Sequence, residues 1–105
     1  MPIDFHELDT TVHGPIRLGI LTALQMDGAL DFTTLKKRLH TPDGSLALHL
    51  KKLEESGYIC SSKAFVKARP KTTYKIEAAG RQALTTYLNA MRHLLEVMDA
   101  QEVNG

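Results

Sequence analysis

The sequence predicts a mainly α-helical domain with one small β-hairpin, an α+β arrangement in a single unit spanning residues 1–105. Three observations predict it. Apolar residues recur at helical spacing in several separate stretches of the chain. Between residues 58 and 76 that period gives way to β-branched and aromatic residues around a basic loop. Charge is also divided unevenly, although the net is only +1. Residues 36–75 hold ten Lys and Arg against three acids, whereas residues 1–35 hold one Arg against five acids and 76–105 two Arg against four. A basic middle between acidic ends is the pattern of a chain whose centre meets a polyanion.

Residues 1–13 give a weak helical pattern, with Ile3, Leu8 and Val12 as contacts. Gly14-Pro15 interrupts it and opens a first strong helix over 15–27, because Pro at a first helical position lacks only an N–H that has no partner there. Ile16, Ile20 and Leu24, with Leu21 beside them, make its buried stripe, and Asp27-Gly28 ends it. Leu30-Asp31-Phe32 is too short for a helix and reads as a brief strand pairing with the later hairpin. A second helix is expected over 33–39, starting at Thr33, with Leu35 and Leu39 inward and Lys36, Lys37 and Arg38 outward. His40-Thr41-Pro42 then makes a tight connection to the next helix.

The stretch TPDGSLALHLKKLEESG, residues 41–57, organises the rest. The Thr41 hydroxyl is placed to accept a backbone N–H at a helix start over 42–56, and Gly57 stops the helix. Leu46, Leu50 and Leu53 form one apolar stripe. Two β-prone runs follow, 58–63 and 72–76, with Pro70 limiting regular pairing near the loop between them. Lys63, Lys67, Arg69 and Lys71 crowd this segment, with no acid between Glu55 and Glu77. The longest helix is expected over 78–100, with QEVNG as a frayed end. Its Leu84, Leu88, Met91, Leu95 and Met98 step by 4, 3, 4 and 3, close to a heptad seam, and Ala83, Tyr87, Leu94 and Val97 widen the arc. One route to covering that seam is packing on the first helix. Burial against a second copy is the expectation favoured here, giving a homodimer.

Two short helices joined by a three-residue turn and followed by a basic hairpin form a winged helix-turn-helix, an arrangement that holds double-stranded DNA. Asp43, Ser45, Leu48, His49 and Lys52 lie off the leucine stripe and face a major groove, with Thr41 at the helix start. Ser45 and His49 offer hydrogen bonds there, and Leu48 offers contact with a thymine methyl. Lys36, Lys63, Lys67, Arg69 and Lys71 are placed for phosphates or the minor groove. His49 has a blander reading, as a polar residue contacting its own domain.

Other classes find less support. The five histidines show no HExxH spacing, the glycines make no phosphate-binding loop, and no acid–base pair stands out, so no catalytic residue is assigned. His6, His13 and His93 have no spacing that points to a metal site, and no cofactor is expected. The single Cys60 excludes an internal disulfide and reads as a small apolar filler, with a redox-responsive thiol as an alternative. A second alternative is a winged helix that binds an acidic protein instead of DNA. No apolar run approaches the ~20 residues of a membrane span. The acidic N-terminus, MPIDFHELD, lacks the basic start of a secretory signal, so a cytoplasmic location is expected. Nothing in the chain names a small-molecule effector.

The runs RLGILTAL, LDFTTLKKRL, TPDGSLALHLKKLEESGYI and RPKTTYKIEAAGRQAL together resemble the winged-helix regulators related to the MarR and ArsR groups, over roughly residues 13–95. The resemblance implies a homodimer paired through outer helices, a recognition helix at 42–56, a wing around 63–71, and repression at a roughly palindromic operator. Carried over by position, it puts Ser45, His49 and Lys52 on DNA and Lys67, Arg69 and Lys71 on the wing. Gly80-Arg81 matches the family's T-x-x-G-R helix start, with Glu77 where Thr is usual. The cysteine pairs of metal-sensing ArsR relatives are absent, so their metal chemistry is not implied.

Overall fold

The computed structural model describes residues 9–104. Its elements run α1 (Pro15–Asp27), β1 (Leu30–Asp31), α2 (Phe32–Leu39), α3 (Asp43–Glu55), β2 (Ile59–Val66), β3 (Arg69–Ile76) and α4 (Ala78–Asn104). Ile3, His6 and Leu8 lie outside the described residues. Within them, residues 10–12 are a turn and not a helix. The Asp9 side chain accepts the Thr11 N–H at 2.8 Å, and its carbonyl accepts the N–H groups of Val12 and His13. That turn delivers Val12, fully buried, to the core.

α1 has the bounds that Pro15 and Gly28 predict, and Ile20, Leu21 and Leu24 are its buried face. β1 pairs antiparallel with β3, Leu30 opposite Tyr74, giving the sheet order β1-β3-β2. α2 starts one residue before Thr33, because Asp31 is the cap: its carboxylate accepts the Thr34 N–H at 2.8 Å. Those hydrogen bonds hold the Asp31 carboxyl below its ordinary pKa of 3.8, and nearby Lys71, 3.4 Å away, acts in the same direction. α3 is capped by Pro42 without any side-chain bond, so the Thr41 hydroxyl does not cap it. Thr41 is instead buried in the turn, at 8% exposure.

Leu46, Leu50 and Leu53 are all buried beneath α3, each worth about 2 kcal/mol relative to exposure. They join Leu35, Ile59, Ile76, Leu84 and Tyr87 with the α1 residues in one core. Leu39 and Ile16 are only half-buried against it.

The hairpin differs most from expectation. Residues 64–71 are not a long loop: β2 and β3 pair continuously from Ile59–Ile76 to Val66–Arg69 around the two-residue turn Lys67-Ala68. Both turn residues are left-handed, with φ of 53° and 64°, as a type I′ turn requires. Pro70 sits in the ladder opposite Phe65. Antiparallel pairs alternate between hydrogen-bonded and non-bonded, and the pair next to the turn-closing Val66–Arg69 is a non-bonded one. The missing proline N–H therefore costs nothing there.

α3, the hairpin and α4 meet at Tyr58. Its N–H reaches Leu53 O at 3.0 Å while Gly57, at φ 77°, donates to Glu54 O, a Schellman closure of α3. Its carbonyl accepts the Glu77 N–H at 2.9 Å, and Arg81 N–H then bonds Glu77 O at 2.9 Å to begin α4. Glu77 in place of Thr thus leaves the helix start where the GR motif puts it. The Tyr58 hydroxyl donates to Asp9, which pushes its own pKa up to about 12. Gly80 packs so closely here that a Cβ would lie 2.1 Å from the Tyr58 oxygen. α4 continues to Asn104, four residues past the expected end at 100.

Gly80→Ala is therefore expected to destabilise the protein by at least about 2 kcal/mol, since backbone and not a flexible side chain must yield. Gly44→Ala, within α3 and with nothing within 4 Å, should instead stabilise by about 0.5–1 kcal/mol. Denaturant unfolding of both variants checks the pair; equal effects would contradict the close contact.

Candidate nucleic-acid interface

With Leu46, Leu50 and Leu53 turned to the core, α3 exposes the opposite arc: Gly44, Ala47, Leu48, Lys51, Lys52 and, at its C-terminal end, Glu55. Leu48 is 56% exposed. Ser45 and His49 lie on the flank and are half-buried. Arg17 of α1 donates from Nε to His49 Nδ1 at 3.2 Å. A ring nitrogen that accepts carries no proton, so the neutral ring keeps its N–H on Nε2 as a donor. The blander expectation for His49 is what the structure shows: it touches its own domain through Nδ1.

Asp43 opens α3, where its charge suits the helix N-terminus. Lys36 at the end of α2 lies 2.7 Å from it. That pair links α2 to the start of α3 and balances the Asp43 charge. Arg38 similarly pairs with Asp27 at the end of α1. The exposed positions of these pairs make them worth little for stability but fix where charge sits.

On the hairpin, every residue from Ser61 to Lys71 is exposed. The register puts Lys63, Phe65, Pro70 and Thr72 on one face, continuous with the core pair Ile59 and Ile76 at its base. Arg69, Lys71 and Lys75 share the other face. Lys71 lies 3.4 Å from Asp31, so the segment without acids in sequence gains a counter-charge from β1. Lys63, Lys67 and Arg69 form no salt bridge among the described residues.

The structure thus gathers Ser45, Leu48, His49 and Lys52 on α3 and the basic wing on the hairpin beside it, and removes Thr41 from the surface. Arg17, which bonds His49, and the exposed Lys51 and Phe65 adjoin these residues without being among the sequence-based candidates. Lys51 was findable, since it lies on the helical arc opposite the leucine stripe. Arg17 was not, because its contact spans 32 residues of chain within an acidic segment.

The expected seam of α4 divides in two. Leu84 is buried in the domain's own core with Tyr87, and the Tyr87 hydroxyl lies 2.9 Å from His13 Nδ1. Leu88, Leu95 and Met98 are 44%, 57% and 53% exposed, and Met91 is half-buried.

Cys60 is half-exposed on β2, and its pKa is raised, first by a hydrogen bond with Glu77, then by partial burial and that carboxylate's charge. Less thiolate means less reactivity, which weighs against a redox switch. Among the described residues no three His, Cys, Asp or Glu side chains gather to hold a metal. No helix among them is long and apolar enough to cross a membrane.

Several known proteins are similar to this chain. An uncharacterised protein of Methanocaldococcus jannaschii, MJ0432, is 41% identical over 73 residues, covering 70% of this chain and 79% of that protein. A transcriptional regulator homologue from Pyrococcus horikoshii OT3 superposes with a TM-score of 0.81 at 24% identity, covering 90% of this chain and 94% of that one. A regulator described as of the MarR family, from Enterococcus faecalis V583, gives 0.69 at 20% identity, covering 91% and 86%. At these identities the two structures establish the fold. The sequence pattern of the winged helix DNA-binding domain matches residues 16–95, and the chain belongs to that family, one of DNA-binding domains and not of enzymes.

Proposed function

We propose that the protein is a homodimeric, sequence-specific regulator of transcription that represses by occupying an operator. α3 enters the major groove, with Ser45, Leu48, His49, Lys51 and Lys52 at base edges and adjoining phosphates. The β2–β3 hairpin lies on the flanking backbone or minor groove through Lys63, Lys67, Arg69 and Lys71. The observation that carries this reading is the pairing of charge. Acids on α1, β1 and α3 neutralise Arg38, Lys71 and Lys36, while the cations on the outer arc of α3 and at the wing tip have no acid partner among the described residues. Such unpaired cations on adjoining elements suit a polyanion, and each phosphate they neutralise releases counterions.

The dimer rests on α4. Leu88, Leu95 and Met98 present apolar surface along a helix that extends beyond the core of its own domain, and a second copy would bury it. Two copies related by a two-fold axis would place two α3 helices in successive major grooves, about one turn of DNA apart.

Replacing Lys67 and Arg69 together with Ala should weaken binding to every duplex and lower the slope of log affinity against log salt by about 2, roughly one for each phosphate lost. An unchanged slope would remove the wing from the interface. Sedimentation at micromolar concentration should show a dimer that Leu88→Glu with Leu95→Glu converts to a folded monomer. A wild-type monomer would refute the role given to α4.

A further inference from the structure

The wing tip carries apolar surface that none of the described residues covers. Phe65 is 80% exposed and Val66 48%. An aromatic ring offers one of the largest burial gains of any side chain, and this one stands in water at the end of a hairpin among cations. Across the ladder Phe65 faces Pro70, so a ring and a pyrrolidine share one face of the ribbon. Lys63 lies on that same face, Val66, Arg69 and Lys71 lie on the other, and Lys67 stands in the turn. The tip thus sets an exposed ring among cations, Lys63 on its own face and Lys67 and Arg69 around it, within a segment that has no acid from Ser56 to Ile76. Its tight two-residue turn keeps the ribbon narrow to its end.

We propose that Phe65, backed by Pro70, is a wedge that the wing inserts into the minor groove, pressing against a base step beside the site read by α3. This rests on the reading of the chain as a duplex-binding regulator. An acidic protein would meet the cations equally well but would find no reason for an aromatic ring at their centre. The minor groove supplies both needs: negative potential for Lys63, Lys67 and Arg69, and base steps between which apolar side chains press, unstacking and kinking the duplex. Pyrimidine–purine steps open most easily, so the wedge selects them without any hydrogen bond to a base. Phe65 is then a determinant of specificity outside the recognition helix.

The test uses the full chain and duplexes enriched from a random pool, carrying 2-aminopurine at positions flanking the half-site. Wild-type binding should raise 2-aminopurine fluorescence at one flanking step. Phe65→Ala, fully tolerable at so exposed a site, should cut affinity roughly tenfold, abolish the fluorescence rise and erase the preference for flanking pyrimidine–purine steps. Its salt slope should match wild type, because no phosphate contact is lost. Phe65→Tyr should retain the rise. Wild-type affinity and fluorescence in Phe65→Ala would overturn the wedge while leaving duplex binding intact, as would a wild-type complex with no fluorescence change. Dissociation of the dimer by Phe65→Ala in sedimentation would overturn it in favour of a contact between copies. A wild-type chain that binds no duplex would remove the DNA-binding reading and the wedge with it.

Discussion

The approach of Gly80 to the Tyr58 carbonyl is the constraint on which the rest of the structure depends. Tyr58 ends α3 through its N–H, starts α4 through its carbonyl, and reaches Asp9 through its hydroxyl. Each hydrogen bond is worth only about 1 kcal/mol, yet together they fix three elements at one point. A Cβ on residue 80 would collide with backbone, so the α4 backbone can seat there only at a glycine. The consequence is geometric. The helix with the exposed lysines, the hairpin with the unpaired cations, and the helix with the uncovered apolar face leave this junction in set directions. Such rigidity suits a DNA-binding domain, whose contacts reward placement to within a fraction of an ångström.

Around that junction, short-range charge pairs tune the surface without adding much stability. Asp31 is the most economical example. One carboxylate caps α2 and faces Lys71 on the neighbouring strand, and both interactions hold its pKa below the ordinary value. Lys36 and Asp43 tie the two helices of the helix-turn-helix across the turn that buries Thr41. These pairs leave Asp27, Asp31 and Asp43 each opposed by a cation.

Much of this was legible in the sequence, for reasons of local physics. Pro15 and Gly28 bound α1, Leu46, Leu50 and Leu53 point inward, and Leu30-Asp31 pairs with the hairpin because a dipeptide between two helices has few other uses. Three features were not legible. The tight turn hides because Lys67 and Ala68 adopt left-handed backbone without the Asn or Gly that usually announces it. Pro70 looks like a ladder breaker, and only the register shows that it falls at a non-bonded position. The α4 seam gives no clue which leucines serve the domain and which remain uncovered, since periodicity is the same for both. Leu84 turns inward because α4 there still lies over the core, whereas Leu95 and Met98 come after the helix has left it. Of the candidate site, the α3 arc and the wing cations follow from composition, but Arg17 beside His49 and the exposure of Phe65 are properties of the fold.

Selection of bound duplexes from a random DNA pool at near-physiological salt tests the central claim most directly. The account predicts recovery of an inverted repeat whose half-sites lie about ten base pairs apart, the spacing of two recognition helices in successive major grooves. Salt-labile binding with no enriched motif would contradict it and point to a winged helix that meets acidic partners without reading sequence.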